Sequence, residues 1–198
     1  LRDGAPFEPN HGSIARMDFQ TRVDGWSLDD LLLTLQSSGS SRRYALSVKS
    51  NLQFTKRSAP DDFVQAIWSQ FLHEDSDVFS GEHDMLGLIT APQPDPPKKD
   101  IQNLLAKAKE QDPIALPRRL LTPKYASEVE RTLFQSFRCP PELAQKHGVG
   151  ESEIGELLRH VIVKGFDFED EPSEDESQAI HACQGLLEDG STEDAQKF

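Results

Sequence analysis

The chain has 198 residues, enough for one good hydrophobic core with a helical appendage, and its 36% hydrophobic and 28% charged residues fit an ordinary soluble globular protein. No apolar stretch approaches the ~20 residues that cross a bilayer, and Cys139 and Cys183 lie too far apart in sequence to suggest a disulfide framework, so a cytosolic, reduced protein is expected, without a membrane partner. A net charge of −13 argues against a general nucleic-acid coat.

Residues 1–13 carry Gly4, Pro6, Pro9, Asn10 and Gly12 and read as irregular. A strand is expected over 16–23, followed by a turn at Asp24-Gly25. Two acids, Asp29 and Asp30, then open an apolar strand over 31–35. The polar run 36–41 (QSSGSS) reads as a loop and 44–51 as the next strand. Pro60 suits the first position of a helix over 60–71, where Asp61 and Asp62 favour the positive end of its dipole. Phe63, Val64, Ile67, Trp68 and Phe71 make that helix's apolar stripe, and Trp26 and Trp68 are expected in the core. Residues 85–91 (MLGLITA) read as a short strand closed by Pro92.

The proline-rich stretch 91–99 (APQPDPPKK) marks a boundary, and the pattern past it turns helical. Helices are expected over 100–110, 125–137 and 151–158, with Pro140-Pro141 as a break and a strand over 160–168. Ser173 with Glu176 three residues on has a capping-box pattern, and a further helix begins at Ser191. The expected organisation is an α/β core over 1–92 and a helical extension over 93–198 that returns one strand and leads towards a further domain. Both describe one mixed β-sheet flanked by helices, with a helical insertion. Because Leu1 opens the chain and Phe198 ends an unfinished helical pattern, a piece of a longer protein is expected.

Charge is distributed unevenly. From Leu31 to Pro60 there is no Asp or Glu, yet Arg42, Arg43, Lys49, Lys56 and Arg57 all fall there, while acids dominate from Glu151 onward. Such a basic stretch on an acidic body could hold a phosphate backbone, or it could be a solvated strand edge. On a strand through 44–50, Ser47 and Lys49 project from one face and Leu46 and Val48 from the other. If 31–35 is the neighbouring strand, Asp29 or Asp30 shares a small volume with Lys49. An acid and a lysine held together suit a divalent metal and a phosphate, and the Val48 carbonyl could add a metal ligand. Ser50 and Asn51 could hydrogen-bond phosphate. The histidines show no zinc-like spacing with the cysteines, and no phosphate-binding glycine loop or serine-nucleophile motif appears.

The DDLLL strand, the SVKSN strand, the amphipathic helix from Pro60 and the MLGLIT strand together resemble the PD-(D/E)XK, restriction-endonuclease-like superfamily. The closer likeness is to N-terminal nuclease modules of bacterial antiviral STAND NTPases, over roughly residues 19–92. The resemblance implies a core of helix, three strands, helix, strand, and a Mg²⁺- or Mn²⁺-dependent DNA endonuclease of low sequence specificity. Asp30, with Asp29 as the competing assignment, takes the place of the strand-opening metal ligand, and Lys49 that of the motif lysine. Gln20 falls where many relatives carry a further glutamate. Ser47 departs from the pattern, which asks for Glu, Asp or Gln there, and a second reading is a catalytically degenerate DNA-binding or protein-interaction module. The core's initial helix has no clear counterpart after Leu1. Partners implied are DNA, NTPase and sensor regions beyond residue 198, and a second copy on activation.

Overall fold

A computed structural model of the chain describes residues 12–37, 39–50, 52–55, 57–75, 77–92, 97–122 and 124–166. Five strands form one mixed sheet in the order β1-β2-β3-β4-β5: β1 (Ser13–Phe19), β2 (Leu31–Ser37), β3 (Ser40–Lys49), β4 (Met85–Thr90) and β5 (Val161–Gly165). The first three make an antiparallel meander, and β4 and β5 are added parallel to β3. Parallel neighbours need a long crossover. One is provided by α1 (Asp61–Phe71). The other runs through α2 (Pro97–Glu110), α3 (Leu116–Leu120), α4 (Glu128–Ser136), α5 (Pro141–His147) and α6 (Ser152–Arg159). The fold is therefore α/β, a mixed sheet flanked by helices with a helical insertion, as the sequence predicts.

Several boundaries differ from expectation. β1 begins at Ser13 and stops at Phe19 because Gln20 takes a left-handed conformation (φ 55°) that no strand can continue, and Thr21–Asp24 winds into a 3-10 turn closed by Gly25. The loop expected over 36–41 is a tight hairpin. Pairing continues to Ser37 opposite Ser40, and Gly39 at φ 97° supplies the conformation that the reversal requires. Pro60 is the residue before α1 rather than its first. The α3 and α5 helices are additional to those the sequence suggested: α5 follows the expected break at Pro140-Pro141, and α3 holds Pro117. Pro117 and Pro141 both sit in a first turn, where a missing N–H costs nothing. The α4 helix starts three residues late, at a capping box in which Ser127 and Glu130 exchange hydrogen bonds of 3.0 and 2.6 Å. Residues 167–168 of the expected last strand, and the helices expected from Ser173 and Ser191, lie outside the described residues.

Side chains alternate across the sheet. On one face Leu32, Ala45, Leu86, Leu88 and Val161 join α1, α2, α4 and α6 in the main hydrophobic cluster, which spans residues on both sides of the proline-rich stretch. Trp26 and Trp68 are buried in it as expected, and the Trp68 indole donates to the Phe137 carbonyl at 2.8 Å. On the opposite face Leu33, Leu35, Tyr44, Leu46, Met85 and Ile162 form a second cluster. Gly87 lies within it, and any Cβ there would collide with Leu46 and Ile162. Among the described residues no helix is long and apolar enough to cross a membrane.

A candidate site where two strands end out of step

Leu31 pairs with Leu46, so Asp30 arrives opposite Ser47 just as β2 begins, while β3 runs on through Val48 and Lys49 beside Ile89 and Thr90 of β4. This stagger leaves the last residues of β3 facing a side chain instead of a strand. The Asp30 carboxylate fills the gap. Its Oδ2 accepts the Val48 N–H at 2.8 Å and the Ser47 hydroxyl at 3.1 Å, and the Lys49 Nζ lies 2.8 Å from Oδ2 and 3.1 Å from Oδ1. Ser47 and Lys49 share the helix-bearing face with Ala45, as period-2 geometry requires. Partial burial alone would raise the Asp30 carboxyl. Hydrogen bonds from Lys49, the Val48 N–H and Ser47, with the lysine's charge, outweigh it and hold the group below the usual carboxylate range. Asp30 is thus ionised at neutral pH. The pair stays open to water, with side-chain exposures of 45% for Lys49 and 31% for Asp30.

A cleft of about 350 Å³ opens beside the pair, between the sheet and the first turns of α1. Asp29, Ser47, Lys49 and Asp62 line it, so the two neighbouring acids occupy different places: Asp30 takes the lysine and Asp29 faces the cleft. Asp62 was legible in the sequence only as a helix-dipole residue. A second hollow of about 380 Å³ shares Ser27, Asp62 and Ala66 with the first and continues towards Arg22.

No protein-family model, curated protein or solved structure matches the chain.

The other sequence-predicted residues scatter. Gln20 is exposed where the chain leaves β1 and is not among the described donors to Asp30. Arg42 and Arg43 lie six or seven residues before Lys49, roughly 20 Å away along a strand, and on opposite faces. Arg43 is part-buried and engaged by the protein itself. Its Nε and Nη2 grip the Asp84 carboxylate at 2.5–3.2 Å, its Nη1 donates to the Asp77 carbonyl, and its guanidinium stacks over Trp26 at 5.0 Å. Ser50 and Arg57 are exposed near the site's end of β3 and in the following loop, with the Arg57 N–H bonded to Thr55 at 3.1 Å. Asn51 and Lys56 lie outside the described residues.

Among the described residues no three His, Cys, Asp or Glu side chains converge on one point, so no all-protein metal cage exists there. A Mg²⁺ ion asks for less. It is commonly held by one or two carboxylates, with waters and substrate phosphates completing an octahedron of hard oxygens. Asp30 with the Ser47 hydroxyl, beside a cleft, fits that smaller requirement. An ionised carboxylate, a hydroxyl and an ammonium at one open point can hold a cation or a phosphate and fix a water between them.

Proposed function

We propose that this chain is a metal-dependent DNA endonuclease module, hydrolysing phosphodiesters with low sequence specificity as the effector of a larger antiviral defence protein. The observation that carries this reading is the meeting of Asp30 and Lys49 at an open cleft. A meander, a crossover helix and a parallel strand supply the element order that the restriction-endonuclease-like resemblance implies, from its first strand onward. The defence role rests on the likeness of the SVKSN strand to modules of STAND NTPases.

Asp30 would hold Mg²⁺ or Mn²⁺ through a carboxylate oxygen, with the Ser47 hydroxyl and the Val48 carbonyl as neutral ligands. When bound, the ion supplies Lewis-acid charge and a more acidic water. The rest falls to the chain. Lys49, aimed by Asp30, presents its ammonium to the negative charge that grows on the scissile phosphate and orients the attacking water. Ser50 and Arg57 would contact the phosphate backbone on either side. Plasmid cleavage with Mg²⁺ or Mn²⁺, compared for the wild type, Lys49→Ala and Asp30→Ala, tests the proposal. Loss of cutting in both variants is expected, and equal cutting by all three ends it.

One observation favours a second reading, a nuclease-like fold that binds DNA or protein without cutting. The Asp30 carboxylate already accepts three protein donors, and Ser47 brings no charge where the related motif carries an acid. On that reading the wild type never cleaves, and Ser47→Glu creates cleavage by adding the missing carboxylate.

A further inference from the structure

β1 is the outermost strand on its side of the sheet among the described residues, and its free side is chemically unusual. Proteins commonly blunt such edges with lysine, proline or a short, bulged strand, because unpaired backbone groups invite another chain. β1 has the bulge, at Ala15, but it leaves large apolar side chains in water. Of the six exposed large hydrophobics among the described residues, three lie on or just past this edge: Met17 at 52%, Phe19 at 69% and Val23 at 93%. Flanking Met17, on the other face of the strand, the exposed Arg16 and the part-exposed Asp18 form an ion pair at 2.8 Å. An apolar edge carrying one cation and one anion two residues apart is complementary to itself.

We propose that β1 pairs antiparallel with β1 of a second copy, about a two-fold axis at Met17. This register sets Arg16 opposite Asp18 of the second copy, twice by symmetry, and Met17 beside its own equivalent. The alternatives are worse. A shift that brings Arg16 opposite Arg16, or Asp18 opposite Asp18, sets like charges face to face, and intermediate shifts place each charge opposite an apolar residue. An in-register parallel pairing repels at both positions. The bulge at Ala15, which would face Phe19 of the second copy, and the left-handed Gln20 confine the pairing to three residues per copy, Arg16 to Asp18. That area falls short of the ~1,200 Å² of a standard stable interface, so association is weak and concentration-dependent. The sheet becomes ten-stranded, and the two-fold axis runs perpendicular to it. Both Asp30–Lys49 pairs then lie on the same side, roughly 25–30 Å apart from strand spacing and rise. The proposal is independent of the nuclease reading, since it rests on the edge alone.

Sedimentation velocity on the 198-residue chain, from about 1 to about 500 µM, tests it, because weak dimers have Kd values in that range. The wild type is expected to dimerise with rising concentration. Arg16→Asp alone and Asp18→Arg alone should each weaken association about tenfold or more, since each puts like charges face to face. An equimolar mixture of the two variants should associate again, because the acidic pair of one meets the basic pair of the other. Neither variant retains the internal Arg16–Asp18 bridge, so recovery in the mixture cannot come from repairing a single chain. A wild type that stays monomeric throughout, single variants that associate like the wild type, or a mixture no better than its parts would each overturn the proposal.

Discussion

Strand β3 makes two acid–base pairs, and they are built for opposite ends. Near its start Arg43 meets Asp84, with side-chain exposures of only 25% and 3%. Asp84 also accepts the Arg43 and Ser80 N–H groups at 3.1 and 2.8 Å, and its carbonyl bonds His160 at 3.0 Å. Each part is boxed in, and the planar guanidinium fork is matched to the carboxylate. Six residues on, Lys49 meets Asp30 at a point where β2 has ended and a cleft begins. A lysine is a flexible point charge there, half in water and free to leave its partner for a ligand. The two pairs share a strand and a face. What separates them is saturation and solvent, and these are what distinguish a structural ion pair from a candidate site.

The contrast is sharpest in stability. Asp84→Ala removes a buried acceptor from the part-buried Arg43 guanidinium and from two backbone N–H groups, and should cost about 3–5 kcal/mol. Asp30→Ala removes the part-exposed partner of a lysine that is itself 45% exposed, and should cost under about 1 kcal/mol. Urea unfolding of both variants decides the matter, and comparable losses would erase the distinction. On the proposed nuclease reading the order reverses in activity. Lys49→Ala should then lower metal-dependent DNA cleavage about 10²–10³-fold, the usual cost of one charge-stabilising donor, with unfolding nearly unchanged. Arg43→Lys is a smaller change. It keeps the charge but loses the fork and the stacking on Trp26, for about 1–3 kcal/mol, and on the proposed nuclease reading the residual folded protein cuts as the wild type does.

The sequence made the Asp30–Lys49 pair legible because the period-2 pattern of SVKSN fixes which side chains share a face, and the apolar run after Asp30 fixes the neighbouring strand. The sheet's element order was legible for the same reason. Arg43 was not: its positive charge reads the same whether it faces phosphate or a buried acid 41 residues away, and only tertiary structure brings Asp84 to it. The hairpin ends were missed because Gln36, Ser37, Ser40 and Ser41 are polar, as both loops and strand tips tend to be. Asp62 was missed as a cleft residue because a helix's first turn gives an acid a sufficient local reason to be there.

Acid should act on the Asp30–Lys49 pair in a last, smaller way. The Asp30 carboxyl lies below its ordinary value in the folded chain, chiefly because the Lys49, Val48 and Ser47 donors outweigh its partial burial. Folding therefore favours its ionised form. The stability this contributes is complete above the unfolded value of about 4 and is lost as pH falls through the lower folded value. Asp30→Asn has no such proton to take up. The gap in urea midpoint between wild type and Asp30→Asn should thus be constant from neutral pH down to about 5, and should narrow progressively below about 4. Salt should narrow it too, because a half-exposed pair is screened at a Debye length of about 3 Å in 1 M electrolyte. A gap that ignores both pH and salt would mean that Asp30 acts through shape rather than charge, and the candidate site would lose its electrostatic basis.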